Sequence, residues 1–206
     1  MSKNVAVTLV SLLFSVQIMA IEEPKYDVLE ASGAFEVRAY SPMIVAETLV
    51  DGSMDEASGK GFRRIAGYIF GGNTSSVGKK EEISMTAPVT IEPKAEKISM
   101  TAPVTMKEDG GSWKVHFVMP SEYTMETLPN PNESNVTLRE VPAQKYAVIR
   151  FSGLAGEKKI ALKTKELNQW LTGKNIRLQG KPQLARYNPP WTLPFFRRNE
   201  VLVAIE

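Results

Sequence analysis

Two stretches of the sequence follow the same order of patterns, at an offset of 101 residues. Residues 35–72 read as two strands, a turn and a helix that ends at glycine, and residues 136–173 repeat that order. The offset is defined by two pairs of identical residues, Arg38 with Arg139 and Gly72 with Gly173. An internal duplication predicts two similar strand–strand–helix units in one α+β domain, related by a pseudo-twofold axis. The alternative is a fortuitous match, because strand–strand–helix is a common order of elements.

The elements themselves are predicted from alternation and capping. Phe35–Tyr40 alternates in polarity as a half-buried strand does, and Met43–Val50 reads as a second strand. Ser53 followed by Glu56 has the spacing of a capping box, which predicts a helix over residues 54–70. The remaining predicted elements are strands at Tyr26–Leu29, Trp113–Met119, Val136–Val141, Lys145–Phe151, Pro182–Tyr187 and Glu200–Ile205, and a second helix at Glu157–Leu171.

Between the two units, the octapeptide Ile-Ser-Met-Thr-Ala-Pro-Val-Thr occurs twice, at 83–90 and at 98–105. Its alternating pattern predicts a half-buried strand in each copy. Pro88 and Pro103 cannot donate to a ladder, so each strand is expected at a sheet edge or with a bulge at the proline. The two copies are expected to pair as a hairpin across residues 91–97. Alternatively, one copy is redundant and packs loosely.

The composition is that of one globular domain. A length of 206 residues is enough for one domain with a sizeable core. The content of 43% hydrophobic and 23% charged residues is ordinary for a globular protein, and the net charge is +2. We expect a single domain over residues 21–206, with halves at about 25–120 and 121–206. The charges are well mixed, with no basic stripe, so a nucleic-acid partner is not expected. The sequence identifies no protein partner.

The first 20 residues differ from the rest of the chain. Lys3 supplies a positive start, residues 5–19 are largely apolar, and Ala20 is a small residue at a plausible cleavage point. This order predicts a signal peptide cleaved after Ala20, and therefore a periplasmic or secreted protein. The apolar run is short for a membrane span, which needs about 20 residues, so no stable span is expected in the mature form. The alternative is a retained N-terminal anchor.

The sequence contains one histidine and no cysteine. This excludes a cysteine nucleophile, a disulfide, an iron–sulfur cluster and a multi-histidine zinc site. His116 alternates with Val115 and Phe117 along a predicted strand. It is a candidate metal ligand or general base, and the other interpretation is a solvent-facing strand histidine.

Residues 191–196, Trp-Thr-Leu-Pro-Phe-Phe, form a predicted loop that is rich in large apolar side chains. Loops usually lie at the surface, so such a run either packs under the domain or lines a ligand pocket. Arginine can pair bidentately with the carboxylates of a flat apolar ligand. The arginines available near these elements, each also interpretable as a solvated charge, are Arg63, Arg64, Arg197 and Arg198.

Six segments form a combination that is more specific than any one of them. They are Phe35–Tyr40, Gly61–Tyr68, Ile83–Val89, Phe117–Ser121, Asn188–Pro190 and Arg197–Val201. The Met-Thr-Ala-Pro-Val and Arg-Arg-Asn-Glu-Val sequences among them are the most specific together. Through these segments the chain resembles the SOUL haem-binding protein family from Tyr26 to Glu206.

The resemblance implies a distorted antiparallel β-barrel with two flanking α-helices, built from two pseudo-symmetric halves. It also implies that haem or a related tetrapyrrole binds non-covalently in an apolar groove between the first helix and the loop before the last strand. The residues carried over to this groove are Met54, Phe62, Ile65 and Ile69 on the helix and Trp191, Leu193, Phe195 and Phe196 on the loop. Arg63 and Arg197 would hold the propionates, and His116 would be an axial ligand only if its strand face points to the groove. Phe62 stands where relatives often have methionine, a departure that bears on iron ligation.

We therefore expect a protein that sequesters or transports haem, and not an enzyme. A general binder of bulky hydrophobic small molecules would use the same groove and is the first alternative. A hydrolase is less favoured, because the sequence assembles no nucleophile with a partner. A structural envelope protein without a ligand is a further alternative.

Overall fold

The computed structural model describes residues 21–93, 111–189 and 191–206, and strands dominate it. The strands are β1 Tyr26–Ser32, β2 Phe35–Tyr40, β3 Met43–Asp51, β4 Asn73–Thr74, β5 Val89–Pro93, β6 Ser112–Val118, β7 Asn130–Pro131, β8 Thr137–Val141, β9 Gln144–Phe151, β10 Gln183–Arg186 and β11 Asn199–Ile205. Nine of them form one antiparallel sheet in the order β1-β2-β9-β11-β10-β5-β6-β3-β8, and β4 pairs with β7. The large sheet curls into a half-barrel.

Two helices cover one face of this sheet. Helix α1, Met54–Ile69, packs on β3, β5 and β6, and helix α2, Glu157–Gly173, packs on β9 and β11. The main core lies between the helices and the sheet and includes Ile65, Phe117 and Leu167. The predicted α+β class, with a curled antiparallel sheet and two flanking helices, is therefore confirmed. Neither described helix has the length and apolarity needed to cross a lipid bilayer.

Without β1, the order of the large sheet is symmetrical, because each strand from the first half of the chain has a counterpart from the second half at the mirrored position. Exchanging β2 with β8, β3 with β9, β5 with β10 and β6 with β11 reverses the order β2-β9-β11-β10-β5-β6-β3-β8. The two halves therefore share one connectivity, with β1 added at an edge. A pseudo-twofold axis that superposes the halves stays a prediction.

The start of α1 has the predicted capping box. The Glu56 amide donates to Ser53 Oγ at 3.4 Å, and the Ser53 amide donates to Glu56 Oε2 at 3.2 Å. These two bonds satisfy backbone donors that a helix start leaves without partners. The second helix runs two residues beyond the predicted end and includes Gly173.

The prediction of a strand in the first octapeptide copy is wrong. Only its last two residues belong to β5, which lies between β10 and β6 and not at a sheet edge. The preceding residues bond elsewhere, because the Ile83 amide donates to the Ile69 carbonyl and Thr86 Oγ1 donates to the Val118 carbonyl. Pro88 has no amide hydrogen for a ladder. The second copy and the predicted hairpin partner residues 94–97 lie outside the described residues.

Gly61 is the point of closest approach between α1 and the sheet. A β-carbon added to Gly61 would lie 2.6 Å from Val115 Cβ, which is too close for any real contact. At Gly59 on the same helix, the nearest atom would be Nη1 of the flexible Arg63 side chain, at 3.5 Å. The two glycines therefore form a matched pair.

We expect Gly61→Ala to lower the free energy of unfolding by about 1–3 kcal/mol, because the added methyl group overpacks the helix–sheet contact. Gly59→Ala should instead raise it by up to about 1 kcal/mol through helix propensity. Urea denaturation of both variants measures the difference. Equal effects at the two positions would contradict the packing described here.

Candidate functional site

The loop between β10 and β11 presents a cluster of exposed apolar side chains. Exposed fractions reach 82% for Trp191, 55% for Leu193, 64% for Phe195 and 69% for Phe196. Pro194–Phe196 forms a 3₁₀ turn, and the centroids of the two phenylalanine rings lie 4.5 Å apart. Isolated exposed apolar residues are common, but a cluster of this kind marks a ligand or partner surface. Residues 191–196 are called the aromatic loop below.

One buried carboxylate holds both ends of the segment that carries this loop. Glu200 on β11 is fully buried. It accepts a hydrogen bond of 2.6 Å from the Tyr187 hydroxyl, before the loop, and one of 2.9 Å from Arg198 Nε, after it. The Arg198 guanidinium also lies over the Tyr187 ring, 3.7 Å from its centroid. Tyr187 and Arg198, at the two ends of the segment, are therefore held together through Glu200 in a single cluster of side chains.

Arg38 on β2 completes the buried ion pair. Its Nη1 and Nη2 atoms donate to the two carboxylate oxygens of Glu200, at 2.8 and 3.1 Å, across the intervening strand β9. Burial alone would raise the pKa of Glu200, but the hydrogen bonds and charge of Arg38, together with the Tyr187 hydroxyl and the Arg198 charge, outweigh it and lower that pKa. Burial alone would lower the pKa of Arg38, and Glu200 outweighs it in turn and raises that pKa. Both groups therefore keep their charges at neutral pH.

A third arginine connects the loop region to helix α1. Arg186, at the end of β10, donates to Ser58 Oγ at 3.0 Å, to Asp55 Oδ1 at 3.2 Å and to the Ala155 carbonyl at 3.1 Å. The Gly153 amide donates to the Pro194 carbonyl within the aromatic loop at 2.9 Å. These bonds bring together the start of α1, the segment before α2 and the aromatic loop.

The four predicted groove residues on α1 do not share one environment. Met54, Ile65 and Ile69 are buried in the main core, between the helix and the sheet. A ligand could reach them only after this core had opened. Phe62 is 36% exposed, and its ring centroid lies 5.5 Å from that of Phe117. Phe62 is thus the predicted helix residue that is accessible at the surface.

The two predicted arginines also differ. Arg63 is exposed on α1. Arg197 is half-buried, and its Nε donates to the Thr192 carbonyl at 2.7 Å, so it supports the shape of the aromatic loop. Arg64 donates to the Leu49 carbonyl at 2.9 Å, and Arg198 is bound to Glu200.

His116 lies on the sheet face opposite α1. Its neighbours Val115 and Phe117 face the helix, and successive side chains of a strand alternate between faces. Burial, with a smaller effect of the Arg139 and Lys114 charges, lowers the pKa of His116 to about 3. His116 is therefore neutral at physiological pH and does not point toward the aromatic loop. Among the described residues, no group of three or more His, Asp or Glu side chains is arranged to hold a metal ion.

Sequence reasoning missed the residues that fix the loop. The sequence places Tyr187 and Glu200 in predicted strands and Arg38 in the internal repeat, and two of the six family-like segments include Arg38 and Glu200, but it assigns none of the three to the site. A charged residue inside an apolar alternating strand, such as Arg38 between Val37 and Ala39, is the signal available in the sequence. The residue to which it pairs lies 162 positions away, so the pairing has no local signature.

Comparison with known proteins identifies the chain at the level of a family. A family model described as SOUL heme-binding protein matches residues 21–204. No curated protein sequence matches the chain significantly.

Several solved structures share the fold. The EcmrR C-terminal domain has a TM-score of 0.59 at 14% identity, covering 88% of this chain and 98% of that one. An uncharacterized conserved protein from Listeria innocua has a TM-score of 0.61 at 14% identity, covering 84% and 92%. A hydrolase from Listeria innocua has a TM-score of 0.57 at 12% identity, covering 86% and 94%. At these identities the likeness shows the fold alone.

Replacing Glu200 by glutamine would remove the fully buried carboxylate of Arg38 and leave the part-exposed Glu36 as its remaining acidic partner among the described residues. Because removing one member of a buried pair is strongly destabilising, we expect Glu200→Gln to lower the free energy of unfolding at pH 7 by about 3–5 kcal/mol. The matched control is Glu36→Gln. Glu36 contacts the same guanidinium at 2.6 Å, but its side chain is 28% exposed, so a loss of about 1 kcal/mol or less is expected.

The same pair predicts a pH dependence. The pKa of Glu200 is lowered on folding, so its stabilisation is present above the unfolded pKa of about 4.3 and is lost as the pH falls through the folded value. The stability difference between the original chain and Glu200→Gln should therefore shrink as the pH drops below about 4.3. Urea titrations at a series of pH values measure it. A difference that is unchanged in acid would contradict the assignment.

Proposed function

The chain belongs to the SOUL haem-binding protein family, and from this we propose that it binds haem or a related tetrapyrrole non-covalently, for sequestration or transport. The observation that carries the proposal is the aromatic loop, whose Trp191, Leu193, Phe195 and Phe196 side chains are more than half exposed. Exposed rings beside the accessible Phe62 helix suit a flat apolar macrocycle.

The free energy of burying the loop side chains can be compared with the cost of association, which shows whether the aromatic loop is enough for binding. Burying one large apolar side chain contributes about 1.5–3 kcal/mol, so the four loop side chains together contribute about 6–12 kcal/mol. Association itself costs at least about 4 kcal/mol, while micromolar affinity needs about 8 kcal/mol net. The loop alone would therefore fall short or barely suffice. Additional burial is available at Phe62 and at Leu154, which is 64% exposed next to Gly153.

The charges fit a ligand with carboxylates. Arg63 is exposed on α1, and a guanidinium pairs bidentately with a carboxylate such as a propionate. Arg197 would act mainly by holding the loop through the Thr192 carbonyl. Bound haem would supply a planar apolar surface and an iron atom. His116 faces away from the aromatic loop, so we propose that the affinity rests on burial of the macrocycle and not on a histidine–iron bond.

Affinity that rests on burial of the macrocycle, without a histidine–iron bond, is also compatible with a second candidate function. A site that recognises rings and not iron would also accept other bulky hydrophobic compounds. If so, iron-free porphyrins and unrelated apolar dyes would compete equally with haem. We propose a binding role without catalysis, in keeping with a family of binding proteins.

Titration of the purified protein with hemin, followed at the Soret band, tests the proposal. We expect saturable one-to-one binding, and an affinity at least about tenfold weaker in the triple variant Trp191→Ala, Phe195→Ala, Phe196→Ala, which removes the burial of three large side chains. The matched control is Phe70→Ala, because Phe70 is 60% exposed at the other end of α1. Saturable binding that the triple variant leaves unchanged would overturn the site, and no binding would overturn the function.

We also propose that the protein is exported and cleaved after Ala20. The proposal rests on the order of charged, apolar and small residues in the first 20 positions. Mass spectrometry of the N-terminus, after expression in a bacterial host with an outer membrane, should find a chain that begins at Ile21 in the periplasmic fraction. A chain that keeps residues 1–20 in the membrane fraction would establish the anchor instead.

A further inference from the structure

A cavity of about 560 Å³ lies at one end of the half-barrel, and none of its lining residues belongs to the aromatic loop. Its lining comes from residues 22–25, residues 41–44 at the β2–β3 turn, Thr86, residues 118–121 and 123–126 from the end of β6 onward, and residues 140–142 at the β8–β9 turn. Ligand pockets in proteins commonly span about 300–1,000 Å³. The cavity, called the pole cavity below, is therefore large enough for a small organic molecule.

Much of the lining of the pole cavity is apolar. Met43, Ile44, Val118, Met119 and Val141 contribute to its wall, and prolines flank them. Methionine side chains are flexible and polarizable, so they adapt to ligands of different shape. Such a wall favours the apolar body of a ligand.

The charged lining residues are mostly acidic. They are four glutamates and one lysine: Glu22, Glu23, Glu126, Glu140 and Lys25. Two of the carboxylates are already engaged, because Glu23 accepts from Arg198 at 2.9 and 3.0 Å and Glu22 accepts from the Ser121 amide at 3.0 Å.

The other two carboxylates keep at least one oxygen open to a ligand. Glu126 is exposed and accepts one hydrogen bond of 2.6 Å at Oε2, from the nearby Thr124 hydroxyl. A hydrogen bond from the Thr124 hydroxyl lowers the pKa of Glu126, which keeps this carboxylate ionised at neutral pH. The carboxylate of Glu140 has no hydrogen-bond or ion-pair partner within residues 21–93, 111–189 and 191–206. An apolar wall beside a net negative charge is complementary to a cation with an apolar body.

We propose that the pole cavity binds a small organic cation, whose apolar body lies against the methionines and whose ammonium group is held by Glu126 and Glu140. The proposal is independent of haem binding, because it uses other residues and the opposite charge. Anionic ligands of the same size should be rejected by the acidic lining.

Isothermal titration calorimetry with two probes of like size tests this. The probes are (1-naphthylmethyl)trimethylammonium and naphthalene-1-sulfonate, added to the purified protein at low salt. We expect saturable one-to-one binding of the cation and at least about tenfold weaker binding of the anion. The double variant Glu126→Gln, Glu140→Gln should weaken cation binding by about fivefold to tenfold, the combined effect of two exposed ion pairs.

Two further variants separate charge from shape. Glu133→Gln removes an exposed carboxylate that does not line the cavity, and should leave cation binding unchanged. Met125→Trp enlarges a partly exposed lining residue and should abolish binding by filling the space. Equal binding of cation and anion, no saturable heat with the cation, or an unchanged affinity in the double variant would overturn the proposal. Hemin titration of the same variants should match the original chain, so failure here is separable from failure of haem binding.

Discussion

The ion pair between Arg38 and Glu200 is the constraint on which the rest of the structure depends. It joins β2 to β11 across β9, on the sheet face that the helices do not cover. Burying two charges is unfavourable, and a well-packed apolar pair is often at least as stable. Its value here is positional, because the same carboxylate also holds Tyr187 and Arg198 at the two ends of the segment that carries the aromatic loop. A loop fixed at its base can keep large apolar side chains exposed without collapsing onto the domain.

The two faces of the sheet have different roles. The helix face carries the main apolar core, in which Gly61 allows α1 to approach Val115 closely. The other face carries a small apolar cluster around Tyr40 and Leu202, together with buried charge and the neutral His116. The aromatic loop lies in the connection between β10 and β11. Arg186 then bonds to α1 and links the loop region to the main core.

Much of the fold could be predicted from the sequence, because its signals are local. Alternation located most strands, and the Ser53–Glu56 spacing located the start of α1. The octapeptide misled for a physical reason: alternation describes side-chain polarity, but Pro88 removes a ladder donor and the preceding residues bond to α1 and β6 instead. The site was predicted less well. A helical stripe such as Ile65 and Ile69 looks the same whether it faces a core or a groove, and a buried pair separated by 162 positions has no sequence signature.

The position of a bound iron porphyrin on the protein tests directly whether the aromatic loop is the haem site. Ferric haem is paramagnetic and broadens the NMR signals of nearby amides, so a two-dimensional nitrogen–proton spectrum with one equivalent of hemin maps its position. If haem binds at the aromatic loop, the amide signals of Phe62 and of residues 191–193, 195 and 196 should disappear first, while those of β6 around His116 and of the pole cavity remain. Selective broadening in the pole cavity or around His116, with the aromatic loop unaffected, would contradict this site.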